Sequence, residues 1–228
     1  MLDGRWKANI ERGLSPIGTS LRRTGIRADH LTALGVLMAA AAGFAIGAGQ
    51  LRIGLLLLVL TGLPDALDGA VAKASGTAGP RGAFFDSVSD RVSDSLLLFG
   101  VAWYLSTTHP GQIALLPMAV LAASLVISYQ RAKAESLGFD AKGGIMERAE
   151  RLILLGLGLL FDSLLIGILW VMLALTVVTA VQRFLKVWRQ ASVERPVVSS
   201  TRRARRRTAR SASPEWQRRL RDRTRRNP

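Results

Sequence analysis

The feature that most constrains this chain is a succession of apolar blocks, each long enough to cross a bilayer. A spanning α-helix needs about 20 mostly apolar residues. Residues 30–49, "HLTALGVLMAAAAGFAIGAG", supply one such block, and residues 51–72 a second, apolar in its first half and acidic in its second. The third covers residues 83–106 and the fourth residues 112–134. The block at 151–184 is too long for one ordinary span, and "FDS" at 161–163 reads as a turn that divides it into a fifth and a sixth helix. The pattern predicts an all-α integral membrane protein with six transmembrane helices.

An even number of spans puts both termini on one side, and the positive-inside rule selects that side. Arg5, Lys7, Arg12, Arg22, Arg23 and Arg27 precede the first helix. Lys73 and Arg81 lie between the second and third, and Arg131, Lys133, Lys142, Arg148 and Arg151 between the fourth and fifth. The opposite connections carry only Arg52 as a positive charge. A multi-pass protein of the cell membrane with both termini cytoplasmic is expected.

Three regions follow. In residues 1–24, Trp6, Ile10, Leu14, Ile17 and Leu21 recur at helical spacing among basic residues, which predicts an N-terminal interfacial amphipathic helix. Pro16 would start or kink its second half, and a soluble arm is the alternative. No short apolar core with a small-residue cleavage site is present there, so no cleaved signal peptide is expected. Residues 25–188 form the six-helix membrane domain. Of the net charge of +15, residues 201–228 contribute +10, from 12 Arg against two acids. Residues 189–228 therefore read as a basic, disordered cytoplasmic tail. Attraction to anionic membrane lipid, or a topology signal, ranks ahead of nucleic acid for it. There is no cysteine, which excludes disulfides and thiolate-bound metal.

Between two of the most apolar blocks lie Asp65, Asp68, Asp86, Asp90 and Asp94. Ionisable groups at membrane depth are costly and usually face a cavity or each other. Asp65 and Asp68 are three apart, Asp86 and Asp90 four apart, so each pair shares a helix face. The short connection "ASGTAGPRG" folds the third helix back on the second, so both pairs can face one cleft. Four clustered carboxylates would repel and take up protons, and a divalent cation removes that conflict. Oxygen ligands without Cys or His favour Mg²⁺, or Mn²⁺, over zinc, and Mg²⁺ favours sites shared with substrate phosphates. The residues point to metal-assisted phosphoryl chemistry at a cytoplasmic membrane boundary. The competing reading is an ion-pair network with Arg91, Arg81 or Lys73. Gly69 would let a ligand approach the backbone closely.

The spacing Asp65-x2-Asp68-Gly69-x2-Ala72-Lys73-x8-Gly82-x3-Asp86-x3-Asp90 resembles the signature of CDP-alcohol phosphotransferases. It departs from that signature at one position, where Lys73 replaces an Arg and gives up a planar, bidentate donor. The resemblance covers residues from about 25 to 188. It implies transfer of a phosphatidyl group from a CDP-linked lipid to an alcohol, with release of CMP. It also implies that Asp65, Asp68, Asp86 and Asp90 hold two metal ions, and that Asp90 is the general base. Gly69, Ala72, Lys73 and Gly82 are implied at the nucleotide of the CDP-lipid. In "RADHLT", Asp29 and Thr32 match the family's segment before the first helix, while Arg27 and Ala28 depart from it; Asp29 reads as a helix cap, and the resemblance implies that its backbone lines the nucleotide pocket. Asp94, one turn beyond the motif, either supports the site or is a polar helix face. Members of the family resemble homodimers.

A second constellation bears on the acceptor. Cations at helix ends are ordinarily topology signals, but Arg131, Lys133, Arg148, Arg151 and Arg183 come from three helices. Such a collection suits a phosphorylated acceptor. "SYQRAKAE" and "ERAER" resemble the phosphatidylinositol phosphate synthase branch of the family. The implied substrates are CDP-diacylglycerol and 1D-myo-inositol 3-phosphate, with Arg131, Lys133, Arg151 and Arg183 binding the acceptor's phosphate. Glycerol 3-phosphate or another polyol phosphate is the nearest alternative, and a non-catalytic scaffold with a basic tail the more distant one.

Overall fold

The computed structural model describes residues 28–62 and 79–192. The chain divides into a unit ending at Gln190 and a second beginning at Ala191, of which only Ala191 and Ser192 are described. The expected interfacial helix over 1–24, the acidic second half of the block at 51–72, and the tail from 193 onward lie outside the described residues.

Six α-helices and one 3₁₀ turn make up the described part, with no strand among the described residues. They are α1 (Ala28–Gly47), α2 (Leu51–Gly62), α3 (Pro80–Thr108), α4 (Leu115–Ser136), α5 (Arg148–Leu160) and α6 (Leu165–Ser192), with the turn Asp162–Leu164 between the last two. Each expected apolar block meets a helix; the second is described only to Gly62, and α6 runs to Ser192, eight residues beyond the expected end. Local chemistry explains those ends. Gly49, at φ 80°, closes α1: its N–H reaches the carbonyl of Ile46 (2.9 Å), and that of Gln50 reaches Ala45 (2.8 Å). This is a Schellman close, which favours glycine at the left-handed position. The same pattern recurs after α4, with Gly138 (φ 75°) bonded to Glu135 and Phe139 to Ala134. Pro80 opens α3 at a position where no N–H partner is needed. A reciprocal capping box of Glu147 and Glu150 opens α5. At the other end of α5, the Tyr104 hydroxyl donates to Asp162 (3.0 Å) and ties the 3₁₀ turn to α3.

The core joins Ala39, Ala42 and Ile46 of α1 to Leu97, Val101 and Leu105 of α3, and continues through Val120, Leu155, Leu159, Leu169 and Met172. Among the described residues, α1 and α3 cross backbone against backbone. A Cβ at Gly100 would collide with the backbone of Gly43, and one at Gly43 with the carbonyl of Leu96. Around this core, large apolar side chains such as Leu37, Phe44 and Trp170 face outward and are more than half exposed. Such a surface suits lipid rather than water. Three helical stretches, Asp29–Gly47, Leu115–Ser136 and Asp162–Ser192, are long and apolar enough to cross a membrane. α3 has the length, but Arg81, Asp86, Asp90, Arg91 and Asp94 charge its first half. α5 has only 13 residues.

The segment between α4 and α5 is fastened to α6. Lys186 donates to the Asp140 carboxylate and the Lys142 carbonyl (both 2.8 Å), and the Gln190 amide exchanges two bonds with the Asp140 backbone. Thr179 accepts from the Met146 N–H (3.0 Å). The hydrogen bond from Lys186, and then that from the Lys142 backbone N–H, hold the Asp140 carboxyl below its usual value of 3.8. A depressed carboxyl contributes stability above its unfolded value and loses it as pH falls through the lower folded value. Asp140→Ala is therefore expected to speed amide exchange in residues 138–144 several-fold at neutral pH. The difference from the unsubstituted protein should shrink as pH falls below the usual value, as read by hydrogen–deuterium exchange.

Candidate active site

α3 carries Gly82, Asp86, Asp90 and Asp94 at intervals of four residues, which places them along one face of the helix. A Cβ at Gly82 would meet no heavy atom of the described residues within 4 Å. Asp86 and Asp90 are partly exposed, whereas Asp94 is 8% exposed, so the row runs from the surface into the protein.

Helix α5 answers this row with guanidinium groups. Arg148 and Arg151, three apart, share a face at its first turn. Nη1 of Arg148 lies 2.9 Å from Oδ1 of Asp90, and its Nε 3.3 Å from Oδ1 of Asp94. Nη2 of Arg151 lies 2.9 Å from Oδ2 of Asp94. Arg91 adds a longer contact, Nη1 to Oδ2 of Asp90 at 3.4 Å, while donating to the Ser87 carbonyl at 2.7 Å. Arg151 is only 7% exposed. Buried charges are tolerated when paired and hydrogen-bonded, and Asp94 and Arg151 meet that condition in each other. Leu97, Leu98, Leu152, Leu155 and Met172 line the space beside this pair, so the polar row ends on an apolar floor.

The other expected acceptor residues spread over α4 and α6. Arg183, 4% exposed, donates from Nε to the Gly143 carbonyl (3.0 Å) and from Nη1 to the Ile127 carbonyl (3.3 Å). Its Nη2 lies 3.2 Å from Glu147. Arg131 pairs with Glu135 one turn along α4 (3.0 Å). Lys133 is exposed on the last turn of α4. Asp29, at the start of α1, meets Arg81 at 3.4 Å. With Arg81 nearly fully exposed, such a pair contributes about 0–1 kcal/mol. Thr32 is buried on the same helix.

Asp65, Asp68, Gly69, Ala72 and Lys73 lie outside the described residues. Asp86 and Asp90 are therefore the described half of the expected ligand set, and among the described residues no three His, Cys, Asp or Glu side chains converge. The donor chemistry fits a hard divalent cation: two partly exposed carboxylates one turn apart on α3. The bridge from Arg148 to both Asp90 and Asp94 was not among the sequence-based expectations. Its signal is present in the sequence as an i,i+4 acid pair and an i,i+3 arginine pair, but on helices 54 residues apart.

Residues 26–191 match the family model of CDP-alcohol phosphatidyltransferases, and the chain belongs to that family. It is thus an enzyme of the phosphatidyltransferase class. Among its relatives, an archaetidylinositol phosphate synthase of Methanothermobacter thermautotrophicus is 37% identical over 187 residues, covering 79% of this chain and 91% of that protein. A phosphatidylinositol phosphate synthase of Mycobacterium tuberculosis is 32% identical over 193 residues, covering 80% of this chain and 88% of that one. The crystal structure of the M. tuberculosis phosphatidylinositol phosphate synthase with CDP-DAG bound superposes with a TM-score of 0.75 at 31% identity, over 82% of this chain and all of that one. Its complex with manganese and citrate gives the same TM-score at 30% identity, over 80% of this chain and 92% of that one.

Proposed function

We propose that the chain transfers the phosphatidyl group of CDP-diacylglycerol to 1D-myo-inositol 3-phosphate, giving phosphatidylinositol phosphate and CMP. The observation that carries this reading is the meeting of the α5 guanidinium groups with the Asp90–Asp94 face, which sets anion-binding groups beside a carboxylate able to take a proton. The names of the relatives support the acceptor, since they share inositol phosphate and differ in the lipid part.

In this reading Asp90 takes the proton of the attacking hydroxyl. The freed oxygen bonds to the phosphatidyl phosphorus as the bond to CMP breaks. Asp65, Asp68, Asp86 and Asp90 hold two Mg²⁺ ions, or Mn²⁺, which supply charge neutralisation for the diphosphate as CMP leaves. Asp29, Gly69, Ala72, Lys73 and Gly82 line the nucleotide side. Arg131, Lys133, Arg151 and Arg183 receive the acceptor's phosphate, and the guanidinium fork suits its oxygens. The domain of residues 25–188 spans the cell membrane six times as a homodimer, with both termini and the site on the cytoplasmic face. Residues 1–24 lie on the membrane, and residues 189–228 form a basic tail attracted to anionic lipid.

The test is CMP release from CDP-diacylglycerol with Mg²⁺ and each alcohol in turn. Release with inositol 3-phosphate at least tenfold above that with glycerol 3-phosphate is expected. Release with glycerol 3-phosphate alone would overturn the acceptor, and no release with any alcohol would overturn the reading as a whole.

A further inference from the structure

Asp94 stands outside the aspartate motif, yet it is the most deeply placed acid of the row and the one whose two oxygens are divided between two arginines. Oδ1 faces Nε of Arg148 and Oδ2 faces Nη2 of Arg151. Arg148 in turn extends Nη1 to Oδ1 of Asp90. One carboxylate thus anchors both the arginine that touches the expected base and the arginine expected at the acceptor's phosphate. Exposure grades along the chain of contacts. The Asp94 and Arg151 side chains are 10% and 8% exposed, those of Asp90 and Arg148 21% and 25%. The anchor is buried and the groups nearer solvent hang from it. The apolar floor of Leu97, Leu98, Leu152, Leu155 and Met172 offers Arg151 no other acceptor in that direction.

We propose that Asp94 is a positioning residue for the acceptor: it fixes Arg151 toward the acceptor's phosphate and, through Arg148, sets that phosphate in register with Asp90. An arginine in a low-dielectric pocket keeps a single orientation only while a partner defines it, and a fork held on one side presents its remaining N–H groups in a fixed direction. The proposal rests on the phosphorylated-acceptor reading given above. It assigns Asp94 no contact with substrate and no proton transfer.

Asp94→Asn keeps the shape and one acceptor oxygen but removes the charge and the second acceptor. The full-length enzyme in detergent is assayed for CMP release, with inositol 3-phosphate and CDP-diacylglycerol varied separately. The expected result is a KM for inositol 3-phosphate raised at least tenfold, with the KM for CDP-diacylglycerol unchanged within twofold and kcat within threefold. A role confined to holding the fold would lower the melting temperature and the folded yield but leave both KM values of the folded fraction in place; that outcome overturns the proposal. So does a loss of kcat at unchanged acceptor KM, which would make Asp94 a partner of the base alone. If Asp94→Asn gives no folded protein, Asp94→Glu is read by the same ratio, since it keeps the charge and shifts it by one methylene. An unchanged acceptor KM in that variant overturns the proposal equally. Wild-type enzyme is run in parallel with inositol 3-phosphate and glycerol 3-phosphate. Failure of the wild type with both removes the acceptor reading and this proposal with it, whereas an active wild type with variants of unchanged KM removes the positioning role alone.

Discussion

Asp90→Asn is expected to lower CMP release by about 10²–10⁴-fold, the range associated with loss of a positioned general base, while the protein remains folded. The amide cannot accept the hydroxyl proton, and it is a poorer ligand for a divalent cation than a carboxylate. The fold should survive for a reason visible in the contacts. Arg148 keeps its second partner, Asp94, at 3.3 Å, and Arg151 keeps its own at 2.9 Å, so no guanidinium is stranded in the interior. The assay is CMP release at saturating substrates, paired with a thermal melt in the same detergent. Activity within a few-fold of the unsubstituted enzyme would remove Asp90 as the base.

Gly100→Leu is expected to act on the fold itself. A Cβ at this position already collides with the carbonyl and Cα of Gly43. The obstacle is backbone, so no rotamer change relieves it and the helices must separate. Overpacking in a close-packed interior costs about 1–3 kcal/mol, occasionally more, and a clash with backbone on both sides belongs at the upper end. The consequence should reach the site, because α1 carries Asp29 and Thr32 while α3 carries Asp86, Asp90 and Asp94. The expected readout is loss of the monodisperse peak in size-exclusion chromatography, or a melting temperature lowered by several degrees with activity falling in step. Unchanged elution, melting and activity would show that the crossing is looser than its geometry.

The helices were legible in the sequence because their signals are local. Length and apolarity gave the blocks, and "FDS" lies on the 3₁₀ turn that separates α5 from α6. The acid row was legible for the same reason, since intervals of four residues on one helix fix a common face whatever the neighbours are. The partner of that face was not legible. Asp94 meets Arg148 and Arg151 across 54 and 57 residues, and helical periodicity says which way a side chain points but not which helix it meets. Arg183 makes the same point. Sequence presents it as one more cation near a helix end, whereas its guanidinium holds the carbonyls of Ile127 and Gly143 and the Glu147 carboxylate. It thereby joins α4, the following segment and α6.

The brevity of α5 has a consequence for traffic through the enzyme. Thirteen residues rise about 20 Å, against a hydrocarbon thickness of about 30 Å. In the six-span arrangement proposed above, a far end at the outer boundary would leave the turn bearing Arg148 and Arg151 about 10 Å short of the cytoplasmic surface. Water would then follow the charges inward as a vestibule. The two reactants would arrive by perpendicular routes: the polar alcohol sinking down a wet shaft, and the lipid sliding in sideways without lifting its tails from the bilayer.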